Sequence, residues 1–319
     1  MKMLKIFEKI YHFLSFSKNY LYDKKLIQSV RLQVPVVSVG NLSFGGVGKT
    51  PCIIMLAQEF STTHKVCVVT RSYKAELKLA HKVDITTKDA AQKFGDEAFL
   101  IKTKLPQCEV WSGPNKSETA QQAMLNRPGL VLVDDGFSHR KLERSFDLVL
   151  IDATQGLETY LRESEKNITR AGAVLITKTN LANSATVVKI KERILKMSPK
   201  LKDSVYTSTV KTVLKVDKQQ PLFLFSGLAR SESFVMDLKN QGYSVIHHEK
   251  FDTTTHQRHH RGKSQRRAPE GFDFVDLRWN RPRTRPGRGR KSRGGSVLVQ
   301  RANADDAARM PSGDRHFAN

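Results

Sequence analysis

A glycine-rich stretch between an apolar run and a helix-like segment constrains the fold more than any other feature of this sequence. Residues 36–51 read Val-Val-Ser-Val-Gly-Asn-Leu-Ser-Phe-Gly-Gly-Val-Gly-Lys-Thr-Pro. Gly45, Gly46 and Gly48 permit positive φ angles and a close approach of the backbone, so that successive N–H groups can face a phosphate. The helix that begins near Thr50 adds the positive end of its dipole. The pattern predicts a phosphate-binding loop.

Two side chains at the end of this loop suit a nucleotide. Lys49 can reach the β- and γ-phosphates, and the Thr50 hydroxyl can ligate Mg²⁺. Ser43 stands where the strict Gly-x-x-x-x-Gly-Lys-Thr pattern has its first glycine. A glycine-rich turn with only a structural role is the alternative, but the position between strand and helix favours nucleotide binding. The predicted nucleotide-binding residues are Ser43, Phe44, Gly45, Gly46, Val47, Gly48, Lys49 and Thr50.

Short runs of Val, Ile and Leu alternate with amphipathic segments along the body of the chain. Such runs without polar alternation suit strands that are buried on both faces of a sheet. Strand followed by helix, repeated, predicts right-handed βαβ units and a doubly wound, mostly parallel α/β sheet. The predicted strands are 34–39, 65–70, 130–133, 148–151, 173–177, 222–225 and 243–246, and the predicted helices are 50–60, 90–103, 117–125, 185–196 and 231–240.

Acidic residues follow one of the buried runs at the predicted carboxyl edge of the sheet. Asp134 and Asp135 come directly after the run Leu130–Val133, where ligands collect in open α/β sheets. An aspartate there can hold the metal ion that bridges phosphate oxygens, and a strand-ending Asp-Gly turn is the alternative. Asp96 and Glu97 are weaker candidates, since acidic residues commonly begin a helix. One of them can accept the proton of a hydroxyl nucleophile.

The net charge of +23, from 54 Lys and Arg against 31 Asp and Glu, has two sources. Residues 252–319 hold 14 Arg and 2 Lys against 7 acidic residues, whereas the basic residues before them are mostly Lys. Such a charge attracts nucleic acid, an anionic membrane surface or a phosphorylated substrate. Because the lysines are dispersed and have no aromatic platform beside them, nucleic acid is not expected as the main partner.

Both ends of the chain differ from its body. Within residues 1–29, apolar residues at positions 6, 7, 10, 13 and 14 form one helical stripe among lysines. This basic amphipathic helix lies either in a membrane interface or on the domain behind it, and it is too interrupted to span a bilayer. Residues 252–319 have no apolar period, which predicts an irregular tail. The predicted domains are therefore 1–29, 30–251 and 252–319.

Taken together, the motifs resemble the tetraacyldisaccharide 4'-kinase family of lipid A biosynthesis. They occur in the family's order over about residues 20–250. The resemblance implies a kinase of the P-loop NTPase fold that uses ATP and Mg²⁺ to phosphorylate the 4'-hydroxyl of a lipid-linked glucosamine disaccharide. It also implies a peripheral position at the cytoplasmic face of the bacterial inner membrane, with the N-terminal helix docked on that anionic surface. The motifs are residues 34–51, Thr70-Arg-Ser-Tyr73, Gly95-Asp-Glu97, Asp134-Asp-Gly-Phe-Ser-His-Arg-Lys-Leu142, Leu161-Arg-Glu163 and Leu175-Ile-Thr-Lys178.

The resemblance assigns roles to individual residues. The loop glycines and Lys49 bind ATP, and a carboxylate accepts the proton of the 4'-hydroxyl. The residues with implied roles are Asp96 and Lys49 in catalysis, Thr50, Glu97 and Asp135 at the metal ion, and Arg71 at the substrate.

The sequence departs from the family pattern most strongly after Phe251. The family continues with an Asp-His-His-aromatic motif, whose His partners the catalytic Asp, and later with Thr-Glu-Lys-Asp. This chain instead has Asp252-Thr-Thr-Thr-His-Gln-Arg-His-His260 and the Arg-rich tail. One hypothesis is that residues from about 252 are translated in a shifted reading frame. The rival hypothesis is a genuine basic tail that binds anionic lipid or nucleic acid.

Smaller departures are Ser72 and Ser138, where the family has Gly and Gln, and Ala98, where Pro is common. Two other functions stay open at this point. One is a different P-loop NTPase, such as a GTPase or metallochaperone. The other is a catalytically impaired remnant that binds nucleotide or membrane, because the C-terminal part of the family pattern is missing.

Overall fold

The computed structural model describes residues 17, 19–43, 46–73, 75–157, 163–214, 216–226, 232–250, 272–274, 276–279 and 298–301. Its largest element is an eight-stranded sheet that the chain builds before Lys211. The strands are β1 (Val36–Asn41), β2 (Val66–Arg71), β3 (His81–Lys82), β4 (Glu109–Gly113), β5 (Leu130–Asp134), β6 (Phe146–Asp152), β7 (Ala173–Thr177) and β8 (Val205–Thr207).

The strands lie in the order β3-β4-β2-β5-β1-β6-β7-β8, and only β3 is antiparallel to its neighbour. From β1 the chain moves to one side to form β2 and β4, returns with β5, and then crosses to the other side with β6 and β7. This change of direction defines a doubly wound sheet, in which ligands bind at the carboxyl ends of the strands near the switch point. The predicted mostly parallel α/β fold is confirmed.

Successive residues of the central strands pack on opposite faces of the sheet. On one face Val66 and Val68 join a core cluster with helix α1 (Lys49–Phe60), whereas Cys67 and Val69 face the other side. Because both faces are covered, the strands consist of unbroken apolar runs, as predicted. The remaining helices of this part are α2 (Ala90–Phe94), α3 (Asp96–Lys104), α4 (Lys116–Ala123) and α5 (Ser184–Met197).

The structure corrects two features of the predicted secondary structure. The single helix predicted over 90–103 is broken at Gly95, whose φ of 94° and ψ of 146° are incompatible with a continuous helix. Strand β4 was missed, because its sequence Glu-Val-Trp-Ser-Gly contains one aliphatic residue only. Strands β3 and β8 were also missed, since they hold only two and three residues.

A second compact unit begins at Lys211, inside the range 30–251 that the sequence predicts as one kinase domain. Its core contains apolar side chains such as Leu222, Leu224 and Phe234. One sheet has the order β11-β10-β14-β12, and β13 pairs with β9. The elements from here on are β9 (Val210–Val213), β10 (Leu222–Ser226), α6 (Glu232–Asn240), β11 (Val245–Lys250), β12 (Phe272–Phe274), β13 (Asp276–Trp279) and β14 (Leu298–Arg301). Val210 and Trp279, at the ends of β9 and β13, belong to the first unit.

The ends of the chain are described in part. Residues 17 and 19–23 are helical, whereas residues 24–29 form turns and irregular backbone, so the predicted helix over 1–29 ends at Asp23. Residues 1–16 and 18 of the predicted helix lie outside the described residues. Within the part of the chain that the structure describes, no helix combines the length and the apolar character that a membrane span requires. In the segment 252–319 the described residues are those of β12, β13 and β14.

Candidate active site

The glycine-rich loop connects the carboxyl end of β1 to the first turn of α1, as predicted. Gly48 occupies the N-cap position of α1 with a φ of 92°, a left-handed conformation that favours glycine. Glycine has no side chain that could cap the helix, so the first N–H groups of α1 are directed to whatever lies in front of the loop. Ser43 is buried, and its carbonyl accepts a hydrogen bond from the Asn41 side chain. Phe44 and Gly45, which were also predicted to bind nucleotide, lie outside the described residues.

The Lys49 ammonium group connects the loop to the acidic end of a neighbouring strand. Its Nζ donates a hydrogen bond to Asn41 Oδ1 at 2.9 Å and lies 3.5 Å from Asp135 Oδ1. Asn41 ends β1, and Asp135 follows β5, which is hydrogen-bonded to β1 in the sheet. The structure therefore brings together two predicted site residues, Lys49 and Asp135, that are far apart in the sequence.

Asp134 has the most perturbed carboxyl group of the site. It is 3% exposed at the end of β5, and Thr70 donates a hydrogen bond to its Oδ2 at 3.4 Å. Burial, reinforced by the negative charge of Glu97, raises the pKa of Asp134 to about 6, although Lys116 and Lys49 oppose this shift. The other oxygen, Oδ1, is buried and has no hydrogen-bond partner among the described residues.

A sharp turn after β5 directs Asp135 away from the strand. Asp135 has a φ of 53°, and Lys116 donates a hydrogen bond to its carbonyl at 2.6 Å. Gly136 packs directly on β1, because a Cβ atom there would lie 2.6 Å from the Ser38 Cβ. Phe137 is buried, and the Arg170 guanidinium group lies 4.4 Å from the centre of its ring. Close packing on both sides thus defines the conformation of the Asp-Asp-Gly-Phe motif.

The oxygen atoms at this edge of the sheet fit a Mg²⁺ ion. The unpartnered Oδ1 of Asp134 and the repulsion between Asp134, Asp135 and Glu97 are both relieved by a cation. No group of three or more His, Cys, Asp and Glu side chains within the described ranges is arranged to hold a metal ion unaided. Mg²⁺ at nucleotide sites takes one or two carboxylates and completes its shell with phosphate oxygens and water.

Asp96 and Glu97 form the first turn of α3, and both are exposed. Their position depends on Gly95, which is buried and lies against the backbone of Tyr73. The effect of Glu97 on the pKa of Asp134 brings the predicted metal residue Glu97 into the electrostatic environment of the aspartate pair. Asp96 precedes it by one residue on the exposed surface of the turn.

Two further predicted residues lie at neighbouring strand and helix ends. Arg71 is the exposed last residue of β2, directly after Thr70, which contacts Asp134. Thr50 is in the first turn of α1. Both positions are at the carboxyl edge of the sheet. The phosphate loop, the turn at Asp134 and Asp135, and the predicted substrate residue Arg71 therefore share this edge.

The prediction missed several residues that contact the loop. Asn41 binds Lys49, Thr177 donates to the carbonyl of Val47, and Lys178 donates to the carbonyl of Gly46 and to Asp152. Thr177 and Lys178 belong to the motif Leu175–Lys178, to which the sequence analysis assigned no role. Their spacing from the loop, more than 120 residues, hides this contact in the sequence.

Comparisons with known proteins agree with this architecture. The chain is 37% identical over 245 residues to the tetraacyldisaccharide 4'-kinase of Bdellovibrio bacteriovorus. This match covers 70% of this chain and 71% of that protein. It is 29% identical over 265 residues to the enzyme of the same name from Flavobacterium psychrophilum, or 75% of each protein. The crystal structure of LpxK from Aquifex aeolicus in complex with ATP has a TM-score of 0.60 and 28% identity, and the match covers 78% of this chain and 81% of that one.

A family model described as tetraacyldisaccharide-1-P 4'-kinase matches residues 1–270, and it ends within the Arg-rich segment. The resemblance inferred from the motifs is confirmed by this match. The chain belongs to the tetraacyldisaccharide-1-P 4'-kinase family.

Proposed function

We propose that this kinase transfers the γ-phosphoryl group of ATP directly to the 4'-hydroxyl of a tetraacylated glucosamine disaccharide 1-phosphate. The observation that carries this proposal is the position of Lys49 between Asn41 and Asp135 at the mouth of the phosphate loop. A single cation there reaches both the phosphate loop and the acidic strand end. In phosphoryl transfer by P-loop enzymes, the loop lysine contacts the β- and γ-phosphates beside a metal-holding aspartate.

The residues of the candidate site have two kinds of role, which are charge stabilisation and proton transfer. The backbone N–H groups of the loop and the Lys49 ammonium group stabilise the charge on the transferring phosphoryl group. Thr50, Glu97 and Asp135, with the adjacent Asp134, would hold Mg²⁺, which when bound neutralises charge on the β- and γ-phosphate oxygens. Asp96 accepts the proton of the 4'-hydroxyl, and Arg71 binds an anionic part of the substrate. No covalent phosphoenzyme is needed.

The exposure of Asp96 suits the role of base. A lipid-linked disaccharide approaches from outside the protein, so its hydroxyl can reach only a carboxylate at the surface. Asp96 is exposed, whereas Asp134 is buried at the end of a strand. Asp96 lies in the first turn of α3, where the positive end of the helix dipole suits a negatively charged side chain.

The test is a transfer assay with the purified full chain, Mg·ATP and detergent-dispersed disaccharide. Asp96→Asn is expected to lower kcat by about 10²-fold or more, the range of general base catalysis, with the Kd for ATP unchanged. Asp203→Asn removes an equally exposed carboxylate outside the proposed site and serves as the matched control. Near-normal turnover of Asp96→Asn would exclude Asp96 as the base. Absence of transfer by the unmodified chain would contradict the proposed function itself.

We also propose that the kinase binds peripherally to the cytoplasmic face of the inner membrane through its N-terminal segment. Tyr20 and Leu26 are 50% and 69% exposed, and Lys24 lies 5.7 Å from the Tyr20 ring centre. Arg140, which belongs to the motif Asp134–Leu142, anchors this segment to the site, since its guanidinium group pairs with Asp23 at 2.6 Å. Apolar and basic groups on one exposed segment suit the interface of an anionic bilayer.

Flotation with vesicles tests the membrane proposal. The full chain is expected to float with vesicles that contain phosphatidylglycerol and to float less with purely zwitterionic vesicles. Leu26→Glu should reduce binding several-fold, because it places a negative charge at the anionic interface. Leu125→Glu is the matched control, since Leu125 is similarly exposed, at 75%, in a different segment. Equal flotation of both variants would contradict a role for the N-terminal segment.

A further inference from the structure

Two consecutive residues at the carboxyl end of β7 hold two consecutive carbonyl groups of the phosphate loop. The Thr177 hydroxyl donates a hydrogen bond to the carbonyl of Val47 at 3.1 Å. The Lys178 ammonium group donates to the carbonyl of Gly46, also at 3.1 Å. Both donors reach the loop across the sheet from a strand that is separated from β1 by β6.

The Lys178 side chain is itself held in place. Its Nζ lies 2.6 Å from Asp152 Oδ2, and the Asp152 side chain is completely buried at the end of β6. The other carboxylate oxygen of Asp152 accepts hydrogen bonds from the backbone N–H and the hydroxyl of Thr154. A backbone φ of 58° at Lys178 ends the strand and returns the side chain towards the loop. The ammonium group is therefore positioned by contacts within the protein.

Peptide geometry converts these contacts into an effect on the nucleotide site. In a trans peptide the C=O and N–H bonds point in opposite directions. A Gly46 carbonyl held towards β7 therefore directs the Val47 N–H away from β7, and the same holds for the Val47 carbonyl and the Gly48 N–H. A positive charge on a carbonyl oxygen also polarises its peptide group and makes the N–H a stronger donor.

We propose that Thr177, Lys178 and Asp152 form a strand-end latch that orients the 46–47 and 47–48 peptide groups of the phosphate loop for binding of the nucleotide phosphates. Thr177 and Lys178 act as positioning residues, because they contact loop carbonyls and act on the phosphates through the N–H groups on the far side. This proposal rests on the proposed function, in which the loop binds ATP. The latch gives a role to the Leu175–Lys178 motif.

The first experiment measures the Kd for Mg·ATP, by calorimetric titration of the full chain, in variants of Thr177. Thr177→Val removes the hydroxyl at nearly constant volume and is expected to raise the Kd about tenfold, the usual effect of one lost buried hydrogen bond. Thr177→Ser keeps the hydroxyl and should restore most of the affinity. Thr179→Val is the matched control, because the Thr179 hydroxyl donates at 3.1 Å to Ser208, outside the loop. Its Kd should equal that of the unmodified chain.

The second experiment removes the charge. Lys178→Met keeps most of the aliphatic stem, and we expect it to raise both the Kd and the KM for ATP about tenfold or more. The KM for the disaccharide should not change, a separation that general loss of stability would not produce. Asp152→Asn keeps a hydrogen-bond acceptor for Lys178 and should have a smaller effect than Lys178→Met.

Binding and transfer are measured separately, so that the latch and the proposed function can fail independently. Unchanged ATP affinity in Thr177→Val and in Lys178→Met would overturn the latch, whatever the transfer activity. If Lys178→Met does not fold, unchanged affinity in Thr177→Val is sufficient to overturn it. Weakened ATP binding in both Thr177→Val and Thr179→Val would also overturn it, because the effect would then be one of folding. Normal ATP binding without transfer in the unmodified chain would contradict the proposed function and leave the latch to be judged by the Kd values.

Discussion

At the scale of single residues, the site concentrates negative charge where the sheet is most buried. Asp134 is almost completely buried, yet it lies near the charges of Glu97 and Asp135. Folding alone does not favour this arrangement, since an ionised carboxylate loses solvation in a protein interior. A site that binds a cation can retain such residues at a cost in the stability of the unliganded protein.

Replacement of Asp134 should therefore stabilise the metal-free protein. Because the pKa of Asp134 is raised to about 6 in the folded state from a usual value of 3.8, the folded protein holds this proton more tightly than the unfolded chain. The free energy of unfolding then decreases as the pH rises from about 4 to about 6. Asp134→Asn removes this loss and should add about 3 kcal/mol at pH 8. Urea unfolding with a chelator present, at pH 8 and at pH 4, measures both values.

The control for this prediction is the acidic condition. At pH 4 the native Asp134 is already protonated, so the variant and the unmodified chain should differ little. Equal stability of the two proteins at pH 8 would show that the carboxylate is stabilised in the folded state by a cation-independent interaction.

The three cysteines give a second prediction at this scale. Cys52, Cys67 and Cys108 are free and buried. Burial and the charge of Asp134 raise the pKa of the Cys52 thiol to about 12. Since only the thiolate is reactive, iodoacetamide at pH 8 should label none of the three in the folded protein and all three in urea, as measured by mass spectrometry. Labelling of Cys52 in the folded state would contradict its burial beside the loop.

At the scale of elements, the break between α2 and α3 determines where Asp96 and Glu97 lie. A continuous helix over 90–103 would place both carboxylates in its middle, without the helix N-terminus that favours their charge. Gly95 interrupts it with a backbone conformation that is open only to glycine, and a Cβ there would lie 3.2 Å from the Tyr73 carbonyl oxygen. The glycine thus creates a helix start at the site.

Gly95→Ala should therefore impair both stability and catalysis. We expect a loss of about 1–3 kcal/mol from backbone strain and a fall in kcat, because the first turn of α3 must shift. Chemical unfolding and the transfer assay measure the two effects. Gly242→Ala is the control: Gly242 has a φ of 83° but open space around it, so it should lose stability without a change in kcat. A normal kcat in Gly95→Ala would show that catalysis does not depend on the helix break at Gly95.

At the scale of the whole molecule, the chain consists of two units with their own sheets. The unit before Lys211 contains every described residue of the candidate site. The unit that begins at Lys211 includes β10 and β11, which pair in parallel. The family match covers the part of the first unit up to Val210 and ends at residue 270. The candidate site thus lies in the first unit, and the largest departure from the family pattern begins in the second unit, after Phe251.

The Arg-rich segment has a prediction of its own at this scale. We propose that residues from about 252 are translated in a shifted reading frame. Translation of the gene in its other two frames, from codon 251 through the end of the family match at codon 270 and beyond, should restore an Asp-His-His-aromatic motif and later Thr-Glu-Lys-Asp. If neither frame contains them, the segment is a genuine basic tail. If one frame does contain them, a chain with the repaired frame should have a kcat about 10²-fold higher than the present chain, because the restored His would tune the base.

The sequence by itself determined the fold class and most of its parts. Strands such as β1 and β5 are unbroken aliphatic runs, and strands covered on both faces need no other signal. The glycine-rich loop was recognisable because its φ angles restrict the residue type locally, as at Gly48. Asp134 and Asp135 were recognisable because two acidic residues directly follow the apolar run Leu130–Val133. These features depend on residues that are adjacent in the chain.

Only the tertiary structure decided which distant residues meet. The contact of Lys49 with Asp135, the effect of Glu97 on Asp134, and the support of Gly46 by Lys178 all arise from strand order. Strand β4 was missed because its own residues give little strand signal, and it is a strand because it pairs with β2 in the sheet. Local sequence restricts backbone conformation, but strand order is decided by how all the elements bury their apolar faces together, and no single segment contains that information.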